Sequence, residues 1–342
     1  MKAKGAQENT TAVMKPSSAS ISLAARLILE GEVVAFPTET VYGLGANALD
    51  AKAVEKIFSL KGRPADNPLI VHICSLRMLQ KIAHTSPKSL LLAKKCWPGP
   101  LTIIFEKKSA IPSIVSGGLG TVAVRMPAEK TALALIRRAG VPIAAPSANV
   151  SGRPSPTSAA HVLEDFGEKV QLILDGGRAK IGVESTVVSL AGTPLVLRLG
   201  GFPFEKLQKL LAGVKIARGV HGEQSPALSP GTKYRHYAPS VPVIIVKEKD
   251  FRTFASGLKP GESRALFFGP NFPKEIVAQL AGQFQYFLHF RDGQDAAHRL
   301  FEALRDSEKK YGRIYFCEIE EKGAGRAVME RVRRAAENAQ QQ

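Results

Sequence analysis

A chain of 342 residues exceeds the size at which a single hydrophobic core stops growing, so two domains are the first expectation. With 44% hydrophobic and 23% charged residues it has enough apolar content for real cores, which excludes global disorder. The net charge of +17 favours polyanionic partners such as RNA, nucleotides or acidic surfaces, and bears on association rather than on fold.

The three cysteines, Cys74, Cys96 and Cys317, lie far apart, which excludes a disulfide framework or zinc spacing and suits a reducing compartment. The first residues carry no apolar targeting core, and no run approaches the ~20 apolar residues that span a bilayer. A cytoplasmic protein without a membrane segment is expected, with residues 1–16 as a loose tail.

From there short apolar runs alternate with helical patterns, as in α/β domains. A strand is predicted over Val33 to Phe36, then a helix over Ala51 to Leu60 capped by Asp50, with Val54, Ile57, Phe58 and Leu60 as its apolar stripe. A strand at Leu69 to Ile73 precedes helices around Leu76 to Ala83 and Lys88 to Cys96, and then the turn WPGP. Strands follow at Leu101 to Phe105, Thr121 to Met126 and Val141 to Ala145. A helix from Ser158 to Phe166 leads to strands at Leu172 to Leu174, Thr186 to Leu190 and Leu195 to Leu199, and a further helix covers Lys206 to Leu211.

Residues 17–212 therefore form the first unit. Residues 213–240, rich in Gly, Pro and cations, form the connecting segment. Residues 241–342 form a smaller α/β unit of about four strands, which lacks a G-x-G-x-x-G after a strand and so has no dinucleotide motif.

Four clusters at strand ends carry the chemistry, where open α/β sheets place ligands. In FPTETVYGLGANA, Thr38, Glu39 and Thr40 follow a strand, and Gly43 and Gly45 either make a tight turn or let the backbone approach a ligand. In KGRPADNPLIVHI, Lys61 and Arg63 either offset a helix dipole or neutralise phosphate from a loop stiffened by Pro64 and Pro68. Asn67 shares that loop, and His72 sits on the next strand in a structural or a functional role.

In TVAVRMP, period-two geometry puts Thr121, Ala123 and Arg125 on one face, and an arginine in so apolar a strand needs an anionic partner, from the protein or from a ligand. In AAPSANVSGRPSPTS, Ser147 and Asn149 follow Ala145 and can offer a hydroxyl and an amide to phosphate or to a magnesium shell, while Ser155 and Thr157 precede a helix that they could cap or at which an anion could bind. Glu184 and Ser185 open one later strand, and Arg198 closes another. Cations, hydroxyls and amides without a strong base suit enzymes that position charged reactants around a nucleotide.

The connecting segment contains SPGTKYRHYAP, in which Lys233, Tyr234, Arg235, His236 and Tyr237 stand in a row. A spacer, a nucleic-acid contact and a flap over the first unit's site are all open on this pattern.

Taken in order, PTETVYGLG, KGRP with NPL and a strand histidine, WPGPLT, VAVRMP, APSAN-SG-PSPT and ESTVV resemble the YrdC-like domain of L-threonylcarbamoyladenylate synthases. The basic aromatic segment and a tail ending GAGRAVMERVRRAA resemble the two-domain form. The resemblance implies a twisted mixed-sheet YrdC-like domain followed by a smaller Rossmann-like domain. It also implies a nucleotidyltransferase that makes threonylcarbamoyl-AMP and pyrophosphate from L-threonine, bicarbonate or CO2, and ATP, for the later modification of a tRNA adenosine by other proteins.

It implies a threonine pocket of Thr38, His72, Arg125, the Ala145 backbone and Ser185. Arg63, Asn67, Thr121, Ser147, Ser155, Arg198 and Tyr234 would hold ATP, and Lys61 and Asn149 would complete the catalytic set with Arg63 and Ser147. Mg²⁺ would arrive with ATP near Ser147 and Asn149 with no dedicated protein ligand, and no organic cofactor is expected. Tyr234 makes the connecting segment a flap. The competing expectation is a basic RNA-binding module with a non-catalytic nucleotide pocket, mildly favoured by the RVRRAA helix. A third keeps the enzyme but makes the carbamoyl-adenylate for metalloenzyme maturation, which would bring zinc-finger CxxC pairs that this chain lacks.

Overall fold

The computed structural model describes residues 11–217, 237–258 and 261–337. Among them, eleven strands form one mixed sheet and four form a second.

The middle of the large sheet positions the site. Strand Ile70–His72 runs parallel to Thr121–Arg125, and in register His72 faces Arg125. Leu101–Glu106 runs antiparallel to Thr121–Arg125 and parallel to Thr186–Ser189, which pairs antiparallel with Leu195–Arg198. On the other side of Ile70–His72 lies Ile143–Ala144, antiparallel to it and to Gly43–Asn47. His72, Arg125, Ala145, Ser185 and Arg198 thus converge from ends of neighbouring strands.

Local chemistry explains the helix that delivers Lys61. Helix Ala51–Lys61 begins where the Asp50 carboxylate accepts from the Lys52 and Ala53 amides, and ends at Gly62 with φ 59°, a left-handed conformation that glycine adopts without strain. Its stripe of Ala53, Val54, Ile57 and Phe58 is buried in the core under the sheet.

Three features depart from the sequence reading. Gly43–Asn47 is a strand, not a turn, because both neighbours offer it a hydrogen-bonding edge. Helices Ser18–Leu29 and Lys130–Ala139 pack together on the sheet's other face, although neither was anticipated. Within the stretch read as loose tail, Ala12–Met14 is an edge strand paired with Leu172–Leu174, and the Thr11 hydroxyl donates to the carbonyls of Gly167 and Val170.

The second sheet is wholly parallel, in the spatial order Val243–Val246, Arg313–Cys317, Arg264–Phe268, Tyr286–His289. Helices Gly293–Glu308 and Ala324–Glu337 cover the face toward the first domain, and their core includes Val41, Val183 and Tyr237 from outside this domain. Gly182, at φ +86°, lies so close to the second domain that a Cβ there would meet the Ala297 carbonyl at 2.3 Å. Arg305, fully buried, grips Asp165 with two nitrogens at 2.9 and 2.7 Å and donates twice to the Pro154 carbonyl. This pairing satisfies a charge that would be costly to bury alone.

Candidate active site

A cleft opens over the strand ends. Arg125 stands in its wall. Its Nη1 donates to the Thr40 hydroxyl at 2.7 Å and its Nε to the Gly99 carbonyl at 3.3 Å, while Nη2 lies 2.7 Å from Glu39. Of the two partners the strand pattern left open for Arg125, the protein supplies one, the Glu39 carboxylate. Glu39 is not part of the cleft's lining, so it neutralises the guanidinium from behind. The Thr38 hydroxyl donates to the Val41 carbonyl and shares a hydrogen bond with Thr40, which fixes the loop.

His72 is buried edge-on to Phe36, and its Nδ1 has no hydrogen-bond partner among the described residues. Burial, and then the Arg125 charge, press its pKa from the ordinary 6.5 to about 3, so it is neutral at physiological pH. Ser185 shares a hydrogen bond with Thr102, and Arg198 donates from Nε and Nη2 to its carbonyl and from Nη2 to its hydroxyl. That turn requires Gly200, where a Cβ would meet the Glu184 carbonyl oxygen at 2.3 Å.

Across the cleft, the buried Lys61 ammonium donates to the carbonyls of Ser147 (2.7 Å) and Asn149, tying the Ser-Ala-Asn turn to the helix end. Burial, and then the nearby Arg63 charge, push its pKa well below the usual lysine range. Asn149 donates its amide to the Val150 and Arg153 carbonyls, while its Oδ1 is buried without a donor. Arg63 donates to the Asn67 and Pro68 carbonyls, and the Ser155 hydroxyl donates to Glu184.

Residues 26–200 match the family described as "Telomere recombination", and residues 203–337 match "Threonylcarbamoyl-AMP synthase, C-terminal domain". The threonylcarbamoyl-AMP synthase of Pyrococcus abyssi is 46% identical over 327 residues, covering 92% of this chain and 94% of that protein. The threonylcarbamoyl-AMP synthase of Bacillus subtilis is 40% identical over 353 residues, covering 98% of each. A crystal structure of P. abyssi Sua5 complexed with L-threonine aligns with a TM-score of 0.86 at 43% identity, covering 96% of this chain and 98% of that one. The chain belongs to the threonylcarbamoyl-AMP synthase family. It is therefore a nucleotidyl-transferring enzyme.

In this family member, Thr38, His72, Arg125, Ala145, Ser185, Arg63, Ser147, Asn149, Ser155 and Arg198 all line one cleft. Lys61 stands behind the lining and acts on it through two carbonyls. Asn67 is buried in the loop that receives Arg63, and Thr121 opens the strand that Arg125 closes; neither reaches the lining. The Ala145 N–H donates to the Ile70 carbonyl. Tyr234, Lys233, Arg235 and His236 fall outside the described residues.

The sequence names Thr40, Glu184 and Tyr237 within its motifs but gives none of them a role at the site. Thr40 and Glu184 lie inside quoted motifs beside residues that were chosen, so a test of which neighbour could satisfy a buried arginine would have found them. The closing helix is a correction: Arg331 points inward and is fully buried, Arg333 pairs with Glu321, and Arg334 with Glu330. These three cations already face carboxylates, which weakens the RNA-binding reading.

His72 yields a pH prediction. Between pH 6.5 and about 3 the unfolded chain takes up a proton that the folded chain refuses, so the stability tied to His72 is full above pH 6.5 and is lost as pH falls. His161, lowered to about 4 by burial and then Arg305, acts in the same direction. The Tm is expected to drop on acidification through this window, and to drop less steeply in His72→Gln. Identical slopes for the two proteins would remove His72 from the effect.

Proposed function

We propose that threonine and ATP meet in this cleft, with Thr38, His72, Arg125, Ala145 and Ser185 holding the amino acid. Arg63, Ser147, Ser155 and Arg198 hold the nucleotide from the lining, Asn67 and Thr121 support that side from outside it, Tyr234 adds a further nucleotide contact, and Lys61 with Asn149 fixes the turn around the phosphates. The observation that carries this reading is that Arg125, His72 and Ser185 line the same cleft as Arg63, Ser147, Asn149 and Ser155.

The reaction follows from charge and proximity. Threonine's amine, once deprotonated, adds to CO2 to give a carbamate, and a carbamate oxygen attacks the α-phosphorus while the bond to pyrophosphate breaks. Arg125 takes the amino acid's carboxylate from the cleft side while Glu39 stays behind it, and the neutral His72 offers its unpartnered nitrogen to the substrate hydroxyl. Arg63 and Arg198 face the phosphates in a site partly shielded from water, where fixed cations stabilise developing charge most strongly.

Magnesium fits this site as a companion of ATP. Among the described residues no group of three His, Cys, Asp or Glu could hold a metal, whereas the buried Asn149 Oδ1 and the Ser147 hydroxyl are oxygen donors of the type Mg²⁺ accepts. Bound with ATP it would neutralise the departing pyrophosphate. No organic cofactor enters the scheme.

The product, a mixed anhydride, serves the threonylcarbamoylation of a tRNA adenosine carried out by other proteins. No helix among the described residues is long and apolar enough to cross a membrane, and a cytoplasmic setting suits an enzyme whose product serves tRNA. Residues 17–212 are assigned to the catalytic domain, 213–240 to the connecting flap and 241–342 to the second domain.

Pyrophosphate release is the test: it should require ATP, threonine and bicarbonate together. Undiminished release with threonine omitted, or none with all three present, would contradict the proposal.

A further inference from the structure

The mechanism above does not use the second domain, yet that domain places one fully buried charge against the cleft. Arg331 lies on helix Ala324–Glu337, and its Nε and Nη2 each donate to the same Glu184 oxygen, Oε2, at 3.1 Å. The other oxygen, Oε1, accepts the Ser155 hydroxyl. One carboxylate is therefore divided between two domains, and both Glu184 and Ser155 line the cleft. The Arg331 guanidinium also lies 5.4 Å from the centre of the Tyr237 ring, which lines the cleft, stacks on Phe301 at 5.5 Å and holds φ 67°.

A buried carboxylate this close to bound phosphates would repel them unless a cation neutralised it. Arg331 provides that charge from outside the cleft while leaving one oxygen to orient Ser155. The buried face of this helix is otherwise apolar, with Ala327, Val328, Met329, Val332 and Ala335, so the charge answers to Glu184 and Tyr237 rather than to packing.

We propose that Arg331 is a positioning residue for ATP: it holds Glu184, and through it Ser155, in the arrangement that accepts the nucleotide, and so couples the second domain to the catalytic site. This rests on the assignment of ATP to the Ser155 side of the cleft. Arg63→Ala is therefore run in parallel, because it tests that assignment alone.

In Arg331→Met, KM for ATP should rise roughly 10-fold or more while the Kd for threonine, measured by calorimetry, stays within about 2-fold. Arg331→Lys should recover part of the ATP effect. In Glu184→Gln the further change Arg331→Met should move KM for ATP little, because the carboxylate that needed neutralising is gone; this pair also guards against a single variant that folds poorly, and Tm is recorded for each. A purely structural latch predicts the opposite: the ATP and threonine constants worsen together in step with Tm, and Glu184→Gln gives no relief. That pattern, or an unchanged KM for ATP in Arg331→Met while Arg63→Ala raises it, would overturn the proposal. No ATP effect in Arg63→Ala would overturn the site assignment, and the proposal with it.

Discussion

Lys61→Met should lower kcat by about 100- to 1,000-fold, the usual cost of removing one preorganised electrostatic group. The reason is geometric as well as electrostatic. The ammonium holds the Ser147 and Asn149 carbonyls together, and both residues line the cleft. Removing it leaves two buried carbonyls without a donor, at about 1–3 kcal/mol each in stability, so activity must be read on folded protein well below Tm. Arg in place of Lys should not restore the rate, because a planar fork cannot reproduce one point charge between two converging carbonyls. The depressed pKa of Lys61 adds a signature: ATP binding in the wild type should weaken as pH rises and the ammonium loses its proton. Wild-type kcat in folded Lys61→Met would contradict this role.

The second large effect concerns threonine. Arg125→Ala should cost about 1.5–3 kcal/mol of threonine binding, the strength of a charge-assisted hydrogen bond, or roughly 10- to 150-fold in Kd. It should also destabilise the fold by several kcal/mol, since Glu39 would remain buried without its cation. The double change Arg125→Ala with Glu39→Gln separates the two: stability should recover while threonine affinity stays low. Calorimetry with ATP present reads the affinity, and unchanged threonine binding in the folded double variant would refute the assignment.

Most of the cleft was legible in the sequence because its residues sit at ends of strands whose apolar runs and period are plain. Arg125 could be placed on one face of its strand, and Ser147 and Asn149 could be placed after theirs, without any tertiary information. What could not be read was who answers whom. Glu39 as the partner of Arg125 depends on a loop folding under a strand eighty-odd positions later. Gly43–Asn47 hid as a turn because its strand character comes from the two edges that flank it rather than from its own glycine-rich composition.

Arg331 shows the same limit most clearly. Within RVRRAA it looks like any cation on a solvated helix, and only a contact 147 positions away along the chain turns it inward. Tyr237 likewise ends a segment that read as a possible linker, yet it is buried against the second domain and lines the cleft.

The proposed reaction joins the carbon of bicarbonate to threonine and to AMP in one cleft. Mass spectrometry of the product formed from ¹³C-bicarbonate, threonine and ATP tests it most directly. A single species containing threonine, the labelled carbon and AMP is expected, formed about 100- to 1,000-fold more slowly by Lys61→Met. AMP or pyrophosphate appearing without that adduct, or an adduct lacking the label, would contradict it.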